Sequence, residues 1–111
     1  MVSRTIRFRI MGKNWRLRVL TKKKYIKKHD DASVAVTMVY KRRIDLSPLG
    51  RDLETILHEL IHAYLAECCT HSSDLDVDAL EEIYCELFSK RGKEIQALGE
   101  KLHTAVKRRK R

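Results

Sequence analysis

The sequence predicts an α+β fold: a small antiparallel or mixed β-sheet, built from an N-terminal hairpin plus one or two further strands, packed on one amphipathic helix and one or two C-terminal helices. Three observations predict it. Residues 5–11 and 15–20 alternate apolar and charged side chains with the period of a half-buried strand. Residues 33–40 and 44–46 are rich in β-branched and apolar side chains. Residues 53–67, and again those from 77 onward, repeat apolar side chains at helical spacing.

In the first run Ile6, Phe8 and Ile10 oppose Arg7 and Arg9; in the second, Trp15, Leu17 and Val19 oppose Arg16 and Arg18. Gly12-Lys13-Asn14 between them reads as the hairpin turn. Four arginines then share the solvent face, where like charges across strands are unfavourable. Either a polyanion meets them or they protect a sheet edge from aggregation. Thr21 is placed to cap a short helix through Lys28, anchored by Tyr25 and Ile26 and wrapped in Lys22, Lys23, Lys24, Lys27 and Lys28.

Residues 33–40 are apolar on both faces, which predicts a buried strand. Lys41-Arg42-Arg43 is a basic turn, and Ile44-Asp45-Leu46 a short strand. Ser47-Pro48 offers a capping hydroxyl and a first-turn proline, with the helix proper starting nearer Arg51. Leu53, Ile56, Leu57, Leu60, Ile61, Tyr64 and Leu65 form its apolar stripe. Residues 68–74 are polar. A helix over 77–90 follows, Arg91-Gly92-Lys93 kinks or ends it, and residues 95–106 are helical again.

A chain of 111 residues that is 43% hydrophobic supports one domain with a modest core, placed at residues 1–106, with a disordered basic tail at 107–111. No apolar run nears the ~20 residues of a membrane span. Residues 1–7 lack a signal peptide's apolar stretch, so a cytoplasmic protein without membrane contact is expected. Cys68, Cys69 and Cys85 are odd in number and form no C-x-x-C pair, which suits reduced thiols. Net charge is +9, unevenly spread. Residues 1–43 hold 14 Lys/Arg against Asp30 and Asp31, residues 44–89 hold Arg51 against 11 acids, and residues 90–111 hold 9 Lys/Arg against Glu94 and Glu100. The basic flanks point to a polyanion.

The acidic block contains His58-Glu59-Leu60-Ile61-His62, an H-E-x-x-H inside the strongest helix. Residues four apart lie on one helix face, so both imidazoles can share one Zn2+ per chain. Glu59 is then placed as a general base toward a metal-activated water. A catalytic zinc needs a third protein ligand. Glu81 and Glu86 flank the apolar face formed by Leu80, Ile83, Tyr84 and Leu87, whereas Glu82 points nearly opposite. Glu81 is therefore favoured, with Glu82, Glu86 and the loop residue His71 as alternatives. A metzincin arrangement is disfavoured because Leu65 and Cys68 occupy its Gly and His positions. Tyr84, His71 and His103 remain open as oxyanion donors.

The order hairpin, strand, basic turn, short I-x-L strand and Thr55-Ile56-Leu57-His58-Glu59-Leu60-Ile61-His62-Ala63 resembles the minimal zincin-like metallopeptidases of the ImmA/IrrE type and their phage-encoded relatives. The resemblance covers about residues 5–88. It implies a gluzincin ligand set closed by a downstream Glu, for which the frame Glu81, Tyr84, Leu87, Phe88 fits and that of Glu82 with Cys85 stays open. Similarity to SprT-like proteases is looser, since their cysteine-rich ribbon is missing.

The expected function is hydrolysis of a peptide bond in a protein or peptide substrate, with residues 33–40 or 44–46 accepting an extended chain by strand addition. Recruitment to nucleic acid through Arg7, Arg9, Arg16, Arg18, Lys22, Lys23, Lys24, Lys27, Lys28, Arg108 and Arg109 is the accompanying expectation. The alternatives are a nucleic-acid-binding or regulatory protein on an inactive zincin scaffold and, less favoured because its site uses three histidines, a metal-dependent ribonuclease of the YbeY kind.

Overall fold

The alternation near the N-terminus folds into a hairpin. The computed structural model describes residues 4–29, 33–68 and 77–108, with the backbone alone at 68 and 77–84. Strand β1 (Arg4–Ile10) pairs antiparallel with β2 (Lys13–Val19), from Arg4 opposite Val19 to Ile10 opposite Lys13. The turn is the two residues Met11-Gly12, so Lys13 and Asn14 belong to the strand rather than to the expected turn. Both turn residues have positive φ, 50° and 83°, the pattern of a type I′ turn, whose twist suits a two-residue hairpin. Ile10, Trp15, Leu17 and Val19 are buried on one face of the hairpin.

After β2, the Thr21 hydroxyl caps α1 (Lys22–Lys28) by accepting from the Lys24 amide at 3.3 Å. The chain returns as β3 (Ala35–Met38), a single 3₁₀ turn (Val39–Lys41) and β4 (Arg43–Leu46). The sheet is mixed, in the order β1-β2-β4-β3, with β4 parallel to β2 and antiparallel to β3. The buried strand expected over residues 33–40 is thus shorter and lies at the edge, half-buried throughout. The later strand takes the interior place because Ile44 and Leu46 bury completely, while Val39 and Tyr40 leave the sheet and are exposed.

β4 also brings Asp45, 0% exposed, into the sheet's other face. A buried carboxylate is tolerated only when paired. Arg18, its register partner on β2, donates from Nε at 3.0 Å and from Nη2 at 3.2 Å. His29, the C-cap of α1, lies with Nε2 2.9 Å from Oδ2, and Arg43 Nε is 3.2 Å from Oδ1. One carboxylate therefore ties β2, β4 and α1 together. Burial alone raises its pKa, but the hydrogen bonds from Arg18 and His29 and the nearby charges outweigh this and hold it below the ordinary aspartate value.

Asp52, rather than Ser47, caps the next helix. Its carboxylate accepts from the Thr55 amide at 3.1 Å and the Thr55 hydroxyl at 2.7 Å. Ser47 instead closes a turn, with Gly50 N donating to its carbonyl at 3.1 Å. Helix α2 (Leu53–Cys68) packs Ile56, Leu60, Ala63 and Tyr64 into the core shared with the sheet and α3. Helix α3 (Val77–Lys107) is one continuous helix of 31 residues, so the expected break at Gly92 does not occur, and Lys107 belongs to the helix rather than to a tail. A mid-helix glycine costs about 1 kcal/mol, and the buried stripe of Leu87, Ile95, Leu102 and Val106 on both sides of it outweighs that. At Gly99 a side chain would collide with Leu57, which sets the close approach of α3 to α2. Arg4 closes the fold by donating to the last-turn carbonyls of Ala105 at 3.0 Å and Val106 at 2.6 Å, a favourable place for a cation. Among the described residues no helix is long and apolar enough to cross a membrane.

Asp45→Asn is expected to destabilise the protein by about 3 kcal/mol in urea unfolding, because two arginines lose their counter-charge. In the parent, the Asp45 contribution is complete above its unfolded pKa near ~3.9 and is lost as pH falls through the lower folded value. The variant should lack that acid limb.

Candidate metal site

Helix α2 points its residues in opposed directions. At about 100° per residue, His58 and His62 lie roughly 40° apart, and both point away from the stripe of Ile56, Leu60, Ala63 and Tyr64. His58 and His62 are both exposed, while Glu59 is buried at 7%. The two rings meet edge to face at 76°, with Nε2 atoms 3.2 Å apart. Two nitrogens each ~2.0–2.1 Å from a tetrahedral zinc are about 3.3 Å apart, so the spacing of this pair matches two corners of such a site. The same distance also suits one N–H···N hydrogen bond.

Glu59 is fixed from the sheet. The Thr37 hydroxyl lies 2.6 Å from Glu59 Oε1 and 3.2 Å from its carbonyl oxygen. Thr37 stands opposite Ile44 in the β3–β4 register and so faces α2. The edge strand thus contacts the acid that follows the first histidine. Sequence reasoning missed Thr37, since one threonine in an apolar strand carries no signal until the register is known.

The far end of α2 is anchored too. Glu67 Oε2 accepts from Trp15 Nε1 and from Arg42 Nε, each at 2.7 Å. Burial raises the Glu67 pKa, but these two bonds and the Arg42 charge bring it below the ordinary glutamate value. Tyr64 donates to Glu94 Oε2 at 2.7 Å, joining α2 to α3. α2 runs through Leu65 as helix, in keeping with the missing metzincin glycine.

Among the described residues no third His, Cys, Asp or Glu joins His58 and His62 in a metal-binding group. Glu86 is exposed and pairs with Lys90 at 2.9 Å. Glu81, Glu82 and Tyr84 lie in the stretch of α3 whose side chains are not described, and His71 lies outside the described residues. His103 is half-buried on α3.

Of the basic residues expected to meet a polyanion, Arg7, Arg9, Arg16, all five lysines of α1 and Arg108 are exposed. Arg18 differs: it is engaged by Asp45 and is a structural residue. Arg109 lies outside the described residues. No protein-family model, curated protein or solved structure matches the chain.

Zinc in hundredfold excess over its Kd should stabilise the parent by about 2.7 kcal/mol. Thermal unfolding with and without zinc checks this, and His62→Ala should abolish the shift.

Proposed function

We propose that the protein is a zinc-dependent peptidase centred on His58, His62 and Glu59. The observation that carries this reading is the 3.2 Å separation of the two Nε2 atoms, beside a carboxylate held on the adjoining turn face by Thr37. His58 and His62 would hold the ion, and Glu81, Glu82 and His71 are the candidates for its third ligand. Zinc held there lowers the pKa of a coordinated water towards ~7 and polarises a carbonyl that it touches. Glu59 takes a proton from the attacking water as the new C–O bond forms. It then gives a proton to the amide nitrogen as the C–N bond breaks. Thr37 keeps Oε1 oriented throughout.

The substrate enters along β3. β4 has neighbours on both sides and cannot accept a further strand, whereas β3 is an edge among the described strands and can pair with an extended peptide. A peptide bound there runs beside Thr37 and therefore beside Glu59.

Glu59→Gln is expected to retain zinc and lose hydrolysis by about 10²–10⁴-fold, the usual contribution of a general base. New N-termini read by mass spectrometry, after incubating the zinc-loaded protein with a peptide library, measure this. Cleavage by the variant at the parental rate contradicts the mechanism. Thr37→Val should retain zinc and lower the rate roughly tenfold, the equivalent of one hydrogen bond, and Thr37→Ser should restore it.

A further inference from the structure

The positive charges of the described residues divide into those that hold the fold together and those with no acidic partner among the described residues. Arg4 caps α3, Arg18 and Arg43 serve Asp45, Arg42 serves Glu67, and Arg91 pairs with Glu94 at 2.9 Å. Arg7 and Arg16 are different. They are exposed, they face each other as register partners across β1 and β2, and no carboxylate among the described residues pairs with either. Arg9, next on the same face of β1, donates only to the Gly12 carbonyl, at 2.8 Å. A hollow of about 470 Å³ is lined by these three arginines and Asn14, with Phe8 and Trp15 between them. Cross-strand like charges cost stability, and no carboxylate among the described residues offsets that cost.

The same face of the sheet gathers positive charge from elsewhere in the sequence. His29 bonds to Asp45 beside Arg18, which sets α1 and its five exposed lysines next to the arginine face. Arg4, one residue out of phase with this face, instead holds the C-terminal end of α3 on the core side of β1. Two basic segments, the hairpin and α1, therefore border one sheet face, and α2 with its histidine pair packs on the opposite face.

We infer that this outer face, centred on Arg7, Arg9 and Arg16 and flanked by α1, binds the phosphate backbone of double-stranded nucleic acid without reading sequence. A dense row of phosphates supplies the counter-charge that the fold withholds. The exposed side chains on this hairpin face are Thr5, Arg7, Arg9, Asn14 and Arg16. None is aromatic, and of the two rings lining the hollow Trp15 is buried and Phe8 half-buried, so bases have little to stack on and a single strand gains little. None is apolar, so a lipid surface gains no insertion. The inference does not depend on the metal site, and its test does not use hydrolysis.

The test is binding of the full chain to a short mixed-sequence duplex, as DNA and as RNA, across a range of salt. The variants are Arg7→Gln/Arg16→Gln and, as a control with the same loss of charge, Lys93→Gln/Lys101→Gln on α3. The arginine variant should bind on the order of tenfold more weakly, with a salt slope shallower by about 2, while the control stays near the parent. The arginine variant should also melt at the same temperature or higher, since a repulsive pair is gone. That combination separates a binding role from a structural one. A flat salt dependence, equal losses in both variants, or tighter binding to the single strand, an anionic vesicle or poly-glutamate than to either duplex would overturn the inference.

Discussion

Everything at the candidate site follows from one constraint on α2. A helix of period 3.6 must bury Ile56, Leu60, Ala63 and Tyr64 against the sheet and α3. That burial leaves no choice about the neighbouring positions. Glu59 turns to the flank nearest the edge strand, where Thr37 meets it, and His58 and His62 turn outward together, their Nε2 atoms 3.2 Å apart. A slip of one residue in the helix phase would bury a histidine and expose Leu60. The hydrophobic core thus aims the polar chemistry, and the anchors at Glu67 and Glu94 keep the helix from rotating or sliding.

The sheet supplies the other half of the geometry. Placing β4 inside and β3 at the edge is what sets Thr37 over α2. The inside position puts Asp45 where water cannot reach it, and the structure answers with Arg18, Arg43 and His29. The cluster therefore couples the sheet order to the position of α1. Two arginines of the sheet are used up in this way; Arg7, Arg9 and Arg16 are not, and they give the molecule a basic side opposite its histidine side.

Much of this was legible in the sequence because periodicity reports burial. The hairpin, the strand Ile44-Asp45-Leu46 and the helix carrying H-E-x-x-H all appear where their patterns place them. What was not legible depends on contacts between distant residues. The apolar run at 33–40 looked like a central strand, yet sheet order is decided by which strand buries better, and Ile44 and Leu46 prevailed. Ser47-Pro48 looked like a helix start, but the Asp52 carboxylate, three residues before Thr55, reaches the free amide better. Gly92 looked like a break, but the apolar stripe continues on both sides of it. Arg18 looked like its neighbour Arg16 because the sequence does not show that β4 brings an aspartate beside it. The histidine pair was visible at once, since four residues on a helix is a local relation. Thr37 was not, being 22 residues from Glu59.

The proposed zinc site requires His58 and His62 to act as a pair of metal ligands. X-ray absorption at the zinc edge of the zinc-loaded protein tests this most directly. The account predicts a first shell containing imidazole nitrogens at ~2.0–2.1 Å, with two imidazoles in the parent and one in His62→Ala. A shell without imidazole, or one that is unchanged in His62→Ala, would contradict it.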